Sequence, residues 1–431
     1  MRYTPASSQF FVRNRSRLDK LLSGSSIAIF NSNDVMPTNA DGTMSLSQNT
    51  DLYYLCGIDQ EESVLVLFPD AKNPADREIL FIRETNEHIA IWEGEKHSKE
   101  KATALSGINN IQWTSQIDAT LHRLILQTRN IYLNTNEYVR ADTSVQTRDS
   151  RFIKNCIAKY PLHNYERLAP LMHRLRIRKD KEEIKMLQQA CDITESGFRR
   201  ALNFVKPGVG EWEVEAEYAH EFIRHKSKGF AYTPIIGSGK NALCLHYMEN
   251  NQICEDGAML LMDVGAEYGN WNADMTRTIP VNGKFSDRQR AVYNSVLTVM
   301  RKCNEIMRPG ILPADYQKKS VEFMEQELII LGLINADDAR NQSDDKPLVK
   351  KYFMHGTSHH LGLDVHDVSP SEEPFAAGMV LTIEPGIYIR EENMGVRLEN
   401  NILIGETENI DLMSNIPIEA EEIEALMAGT N

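Results

Sequence analysis

Cysteine is sparse in this chain: six in 431 residues, at positions 56, 156, 191, 244, 254 and 303. No two have the spacing of a zinc ribbon or a thioredoxin-type motif. A chain of this size with scattered thiols reads as a protein of a reducing compartment, each thiol a small buried hydrophobe. Long apolar runs are missing too. None approaches the roughly 18 residues needed to span a bilayer, and no basic start, apolar block and small-residue site marks a signal peptide. The first 18 residues carry Arg2, Arg13, Arg15 and Arg17 and no acid, a feature shared with transit peptides. The expectation for the whole chain is nonetheless a cytoplasmic location. Positive charge is in deficit: 47 Lys and Arg against 61 Asp and Glu, a net charge of −14. That balance excludes general nucleic-acid binding and favours solubility, with no membrane partner expected. What remains is 42% hydrophobic and 25% charged, the composition of a globular protein. The length exceeds one ordinary core, so two domains are expected.

Residues 1–173 alternate strand-like and helical segments. SIAIF (26–30), VLVLF (64–68), EILFI (78–82) and NIYLN (130–134) are apolar runs between turn residues, and helical stretches fall near 9–22 and 116–128. This pattern predicts a small α/β domain. The polar, turn-rich segment 31–50 reads as a loop. The boundary is placed in RLRIRKD, between 173 and 174, where the basic run reads as a solvated linker.

From there the pattern repeats. A helix opens at Asp180 or Lys181 and ends at Pro207-Gly208; a second covers about 211–228 and stops at Gly229. Ser286 with Gln289 forms a capping box for a third helix, ended by Pro309-Gly310, and a fourth spans about 313–331. VKPGVGEWEVEAE (205–217) parallels MRPGILPADYQKK (307–319). Helix, Pro-Gly, helix, then strands with acids occurs twice, so residues 174–431 are expected to be an α+β domain with an internal duplication. The segment 418–429 reads as an acidic amphipathic helix.

The chemistry concentrates in HGTSHHLGLDVHD, residues 355–367, which holds four histidines of the 12 in the chain. His355, His359 and His366 are the candidates, and His360 is a bystander. Asp263 ends the apolar run AMLLM, and Asp274 lies eleven residues on, a spacing that suits two arms of one hairpin. Glu384 and Glu399 sit in TIEPG and GVRLENN, again beside apolar runs. An acid there costs several kcal/mol if buried unpaired. Together the candidate metal ligands are Asp263, Asp274, His359, Glu384 and Glu399. Four carboxylates and one imidazole favour a hard divalent ion such as Mn²⁺. One ion is over-neutralised by four carboxylates. Two ions roughly 3.5–4 Å apart can share them and acidify a water between them for attack on an amide or a phosphate ester. His246, His355, His366 and Arg397 surround this set in sequence, as groups that position substrate or steady an oxyanion.

The ordered set of Asp263 and Asp274, HGxxHxLGLDVHD, EPGIY and GVRLEN resembles the M24 metallopeptidases of pita-bread fold, over about residues 180–405. FVRNRSRLDKLL (11–22), QNTDLYYLCG (48–57) and the IWEG region (91–94) resemble the accessory domain of the aminopeptidase P branch. The resemblance implies a 1–173 accessory domain and a 174–431 catalytic domain. It implies a metallo-aminopeptidase that removes a residue standing before proline, with peptides bearing proline second as substrates. It implies two ions, usually Mn²⁺, with Asp274 and Glu399 bridging, Asp263 on one ion, and His359 with Glu384 on the other. Glu384 would take the proton of the attacking water, and His246 or His366 would steady the oxyanion. His355 and Arg397 are implied on the substrate side, and Tyr232 is either there or in the core. A homodimer or homotetramer is implied, with Trp92 either an interface anchor or packed in its own domain. Two positions depart from the family pattern: Ser47 replaces a common arginine, and Asn400 follows the last ligand where Asp is common. A prolidase, limited to Xaa-Pro dipeptides, shares the chemistry. A binding module without catalysis is the reading from another class, and it would lack metal ligands.

Overall fold

In a computed structural model, residues 2–141, 144–343, 345–370 and 372–429 are described. They form two compact units, Pro5–Arg176 and Ile177–Asn431, the latter joined by Met1–Thr4.

The first unit is built on a mixed sheet. Strands β1 (Ser26–Asn31), β2 (Val64–Leu67), β3 (Glu78–Ile82), β4 (Asn110–Trp113), β5 (Asn130–Leu133) and β6 (Asn164–Arg167) lie in the order β4-β3-β2-β1-β5-β6. β1 pairs antiparallel with β2 and parallel with β5. Every residue of β1 and β2 is buried, as continuous apolar runs at the centre of a two-sided sheet require. Ile27, Ile29, Val66, Phe81 and Ile131 form one face, packed with Leu121, Leu124 and Ile125. Helices α1 (Ser8–Asp19), α2 (Thr50–Cys56), α3 (Glu87–Trp92), α4 (Lys99–Ser106), α5 (Ile117–Ile125), α6 (Arg148–Lys159) and α7 (Ala169–Arg176) complete the unit. Arg15, from the basic start, is buried and donates to the carbonyls of Leu55 (2.8 Å) and Ser106 (2.9 Å). Trp92 is not packed inside its unit: it is 75% exposed, beside Ile91 at 70%.

The second unit opens with α8 (Lys181–Phe204), capped by Asp180, whose side chain accepts from Glu182 N while the Glu183 side chain accepts from Asp180 N. α9 (Glu211–Arg224) ends before the expected 228, because Lys226 turns to φ 71° and Ser227 ties the chain back to Gly229. A glycine inside a helix costs about 1 kcal/mol against alanine. Gly197 of α8 is explained by contact with α9: a Cβ there would lie 2.6 Å from the Tyr218 ring. Strands β7 (Ile235–Ser238), β8 (Met259–Asp263) and β11 (Thr276–Pro280) make an antiparallel sheet, with the short pair β9 (Glu267–Tyr268) and β10 (Trp271–Asn272) at the hairpin tip. The motif then recurs. α10 (Asp287–Ile306), with the expected Ser286/Gln289 capping box, packs on α11 (Pro313–Ile330). After the short α12 (Ala336–Arg340) come β12 (Val380–Ile383), β13 (Gly386–Ile389), β14 (Met394–Arg397), β15 (Asn400–Leu403) and β16 (Ile410–Asp411). Three of these form a second antiparallel sheet in the order β12-β15-β16. Helix α13 (Ala420–Met427) closes the chain's described part.

The basic run before α8 is only partly a solvated face. Arg176 is buried against Asp51 (2.7 Å), and Lys179 against Asp367 (2.8 Å).

Candidate metal centre

Strand register brings the acids together. Asp263 ends β8 opposite Thr276 of β11, so Asp274 lies two residues beyond the paired end. The hairpin closes tightly because residue 265 is glycine: a Cβ there would stand 1.8 Å from the Ala273 carbonyl oxygen. In the second sheet Ile383 of β12 faces Asn400 of β15, placing Glu384 and Glu399 side by side at the same end. Backbone and amide bonds then join the two halves. Glu399 N donates to Thr276 O (3.0 Å), Asn401 Oδ1 accepts from Asp274 N (3.1 Å), and Asn401 Nδ2 donates to Asp274 O (2.5 Å). Arg277, wholly buried, donates to the carbonyls of Thr276, Glu399 and Pro417 and to Asn400 Oδ1 (2.7 Å). Asn400 in turn donates to Asp411 (2.6 Å), so the departure at position 400 has a local partner.

Asp274, His359 and Glu399 present ligand atoms within 4.8 Å of one another. His359 Nδ1 faces the His360 carbonyl (3.0 Å), which fixes the proton on Nδ1. Nε2 points the other way, 3.3 Å from Asp274 Oδ2 and 3.8 Å from Glu384 Oε1, and is the nitrogen that a cation would take in place of a proton. Glu399 Oε2 accepts from the Thr276 hydroxyl (2.7 Å), while Oε1 is buried without a partner. The Tyr232 hydroxyl lies 2.6 Å from both Asp263 Oδ1 and Asp274 Oδ1. It has one hydrogen to give, so one of those contacts needs a further proton or a cation.

Electrostatics point the same way. Burial, then the neighbouring Asp274, Glu384 and Asp263, push the Glu399 carboxyl well above its usual range. Burial raises Glu384 to about 7, against the opposing pull of His359. Burial also raises Asp263, partly offset by Arg397. Burial pulls His359 down, but Asp274 and Glu384 overcome it and hold the imidazole up at about 9. Such a group of acids is stable as carboxylates only with added positive charge. The oxygen-rich donor set, the orphaned Glu399 Oε1 and the crowded Tyr232 contact fit a divalent cation.

A model of metallopeptidase family M24 matches residues 185–406, and a model of the aminopeptidase P N-terminal domain matches residues 11–132. The chain belongs to metallopeptidase family M24. This M24 chain is 34% identical to Xaa-Pro aminopeptidase of Escherichia coli, over 98% of each chain. It is 30% identical to Xaa-Pro aminopeptidase of Haemophilus influenzae, over 97% of this chain and 96% of that one. The solved structure of zinc-substituted Escherichia coli aminopeptidase P in complex with product superposes with a TM-score of 0.88 at 32% identity, covering 99% of this chain and 100% of that chain. The second unit is accordingly the pita-bread catalytic fold of M24, preceded by an aminopeptidase P N-terminal domain.

Around the acids the expected substrate-side residues divide. His366 is exposed and stacks on His359, ring centroids 4.0 Å apart. His246 is exposed on the loop after β7. His355 Nδ1 donates to Gly356 O (2.7 Å), so Nε2 accepts from the Tyr388 hydroxyl (2.9 Å). Burial, and then the charge of Arg397, push His355 down to about 3, so it is a neutral imidazole. Arg397 departs from the substrate-side expectation. It is 4% exposed and donates to Asp263 Oδ2 (2.5 Å), the Tyr388 hydroxyl (2.8 Å) and Thr276 Oγ1 (3.1 Å). All three of its nitrogens are engaged by the protein, one of them as the counter-charge of Asp263. Tyr232, too, turns its hydroxyl to carboxylates, those of Asp263 and Asp274. Sequence reasoning missed Tyr388 and Thr276. Tyr388 stands four residues after Glu384 on β13, and Thr276 two after Asp274 on β11; nothing local distinguished either from a core residue.

Among the described residues, no helix is long and apolar enough to cross a membrane.

Proposed function

We propose that this chain is an Xaa-Pro aminopeptidase, hydrolysing the bond between an N-terminal residue and a following proline. The observation that carries the reading is the meeting of Asp274, His359 and Glu399, with Asp263 joined to Asp274 through Tyr232 and Glu384 beside His359, in a chain similar to Xaa-Pro aminopeptidases along nearly its whole length. The five residues would hold two divalent ions, Mn²⁺ being preferred by the oxygen-rich set, with Asp274 and Glu399 shared between them. When bound, the ions supply Lewis acidity and water acidified for attack. Glu384, already raised to about 7, is suited to accept the proton of the attacking water and return it to the leaving nitrogen. His246 and His366, exposed on their loops, would donate to the developing oxyanion. His355 offers the substrate a neutral ring held by Tyr388. Arg397 and Tyr232 hold Asp263 in place rather than touch the peptide.

The division at Arg176 and Ile177 is read as the border of accessory and catalytic domains. The exposed Trp92 and Ile91 support a homodimer or homotetramer, since aromatic side chains are favoured interface anchors. The location is read as cytoplasmic. The deciding experiment supplies an Xaa-Pro-Xaa tripeptide and an Xaa-Pro dipeptide to chelated and Mn²⁺-restored protein. Release of the first residue from the tripeptide, only with metal, is expected. Cleavage of the dipeptide alone would make the protein a prolidase, and no cleavage of either would make it a binding module.

A further inference from the structure

His246 rides on a loop, residues 239–252, whose two ends and middle all meet one buried carboxylate. Glu211 opens α9 and is fully buried. Its Oε1 accepts from Ser238 N (2.7 Å) and Asn241 Nδ2 (3.0 Å). Its Oε2 accepts from the Tyr247 hydroxyl (2.8 Å) and Gln252 N (3.0 Å). All four donors are neutral, and together they give both oxygens of the buried carboxyl group two partners each. The backbone repeats the closure: Glu211 N donates to Gln252 O (2.9 Å), and Gly210 bridges Ile253. Tyr247 is the residue next to His246. On the loop's inner side Leu243, Leu245 and Tyr247 pack with Ile235 and Tyr388, and Tyr388 holds both His355 and Arg397. That wall is anchored on the Tyr388 side, so a shift of the loop is felt first at His246, next to Tyr247.

We propose that Glu211 is a positioning residue: its carboxylate clasps both ends of the 239–252 loop and, through Tyr247, sets the place of His246 for the reaction. The proposal rests on His246 acting on the substrate side. Glu211→Gln keeps the shape but turns an amide donor toward two of the four donors, so half of the clasp is lost and repelled. Tyr247→Phe removes one hydroxyl and leaves the fold intact.

The test uses the full-length protein. Amide hydrogen exchange of residues 239–252 is measured in the metal-free state, and kcat, KM and metal content in the Mn²⁺-loaded state. For Glu211→Gln we expect faster exchange in the loop, unchanged metal content and a fall in kcat of about 10- to 100-fold, the cost of a misplaced catalytic group. Tyr247→Phe should show the same pattern with a smaller loss, about 5-fold, and it decides the matter if the first variant does not fold. Combined with His246→Ala, either variant should cost little more than His246→Ala alone, because both act through the same imidazole. Wild-type kcat despite faster exchange, or an equal further loss in the His246→Ala background, would overturn the positioning role. Wild-type turnover in His246→Ala itself would instead overturn the role of the histidine, and with it the purpose assigned to Glu211.

Discussion

Arg397→Met tests the electrostatic logic of the centre most directly. Arg397 and Asp263 are nearly shielded from solvent, with side-chain exposures of 5% and 14% at a separation of 2.5 Å. Methionine keeps the unbranched apolar stem and removes the charge. Asp263 is left beside Tyr232 and Asp274, and Tyr388 loses its donor at 2.8 Å. Breaking a buried ion pair from one side costs about 3–5 kcal/mol. At roughly 2–4 °C per kcal/mol for a unit of this size, the midpoint of the metal-free protein should fall by about 6–20 °C. Bound metal supplies Asp263 with a second counter-charge, so the deficit should shrink with Mn²⁺ present. Scanning calorimetry with and without chelator measures both. Arg397→Lys should recover only part of the loss, since a compact ammonium does not reach the three separated acceptors that Nε, Nη1 and Nη2 meet. A metal-free midpoint within about 2 °C of wild type would refute the claim that Arg397 neutralises Asp263, since a buried pair broken from one side costs more than that. An equal deficit with and without metal would refute the claim that Asp263 faces the cation.

The two stacked histidines should separate in kind. His359→Ala is expected to lose metal, measured by atomic absorption; His366→Ala should retain it and lose kcat by roughly 10²–10⁴-fold. Metal-free stability should fall as pH rises. Glu384 is raised from 4.5 to about 7, so folding takes up a proton, and stability present below pH 4.5 is lost by about pH 7. His359, raised from 6.5 to about 9, continues the decline across that upper window. Chemical denaturation of chelated protein from pH 4.5 to 9 checks the sign, and a stability maximum at the alkaline end would contradict it. Light scattering should report a mass of at least two chains; a monomer at micromolar concentration with full activity would remove the oligomer while leaving the metal centre in place.

Much of this protein was written locally. The capping boxes at Asp180/Glu183 and Ser286/Gln289 are bonds between residues three apart, so their pattern is visible in the chain. β1, β2 and β3 are continuous buried runs, and their apolar residues announce them. β6 reads NYER with no buried residue, and β4 has one; edge strands of that kind carry little hydrophobic signal, which is why they were not legible. The five candidate ligands were visible because acids beside apolar strands demand compensation.

What each polar side chain does with its atoms was decided elsewhere. Arg397 lies 134 residues from Asp263, and Tyr232 lies 31 and 42 residues from the two aspartates it touches. Nothing in GVRLEN says whether the guanidinium faces a peptide or a carboxylate. The sequence by itself determined the repeated helix–helix–hairpin plan, the capped helix starts and the set of groups able to bind a cation. Only the tertiary structure decided which carboxylate keeps a free oxygen, which is neutralised by arginine and which loop is clasped by Glu211. Those outcomes depend on strand register and on buried hydrogen bonds between segments far apart in the chain, and neither is encoded in local spacing.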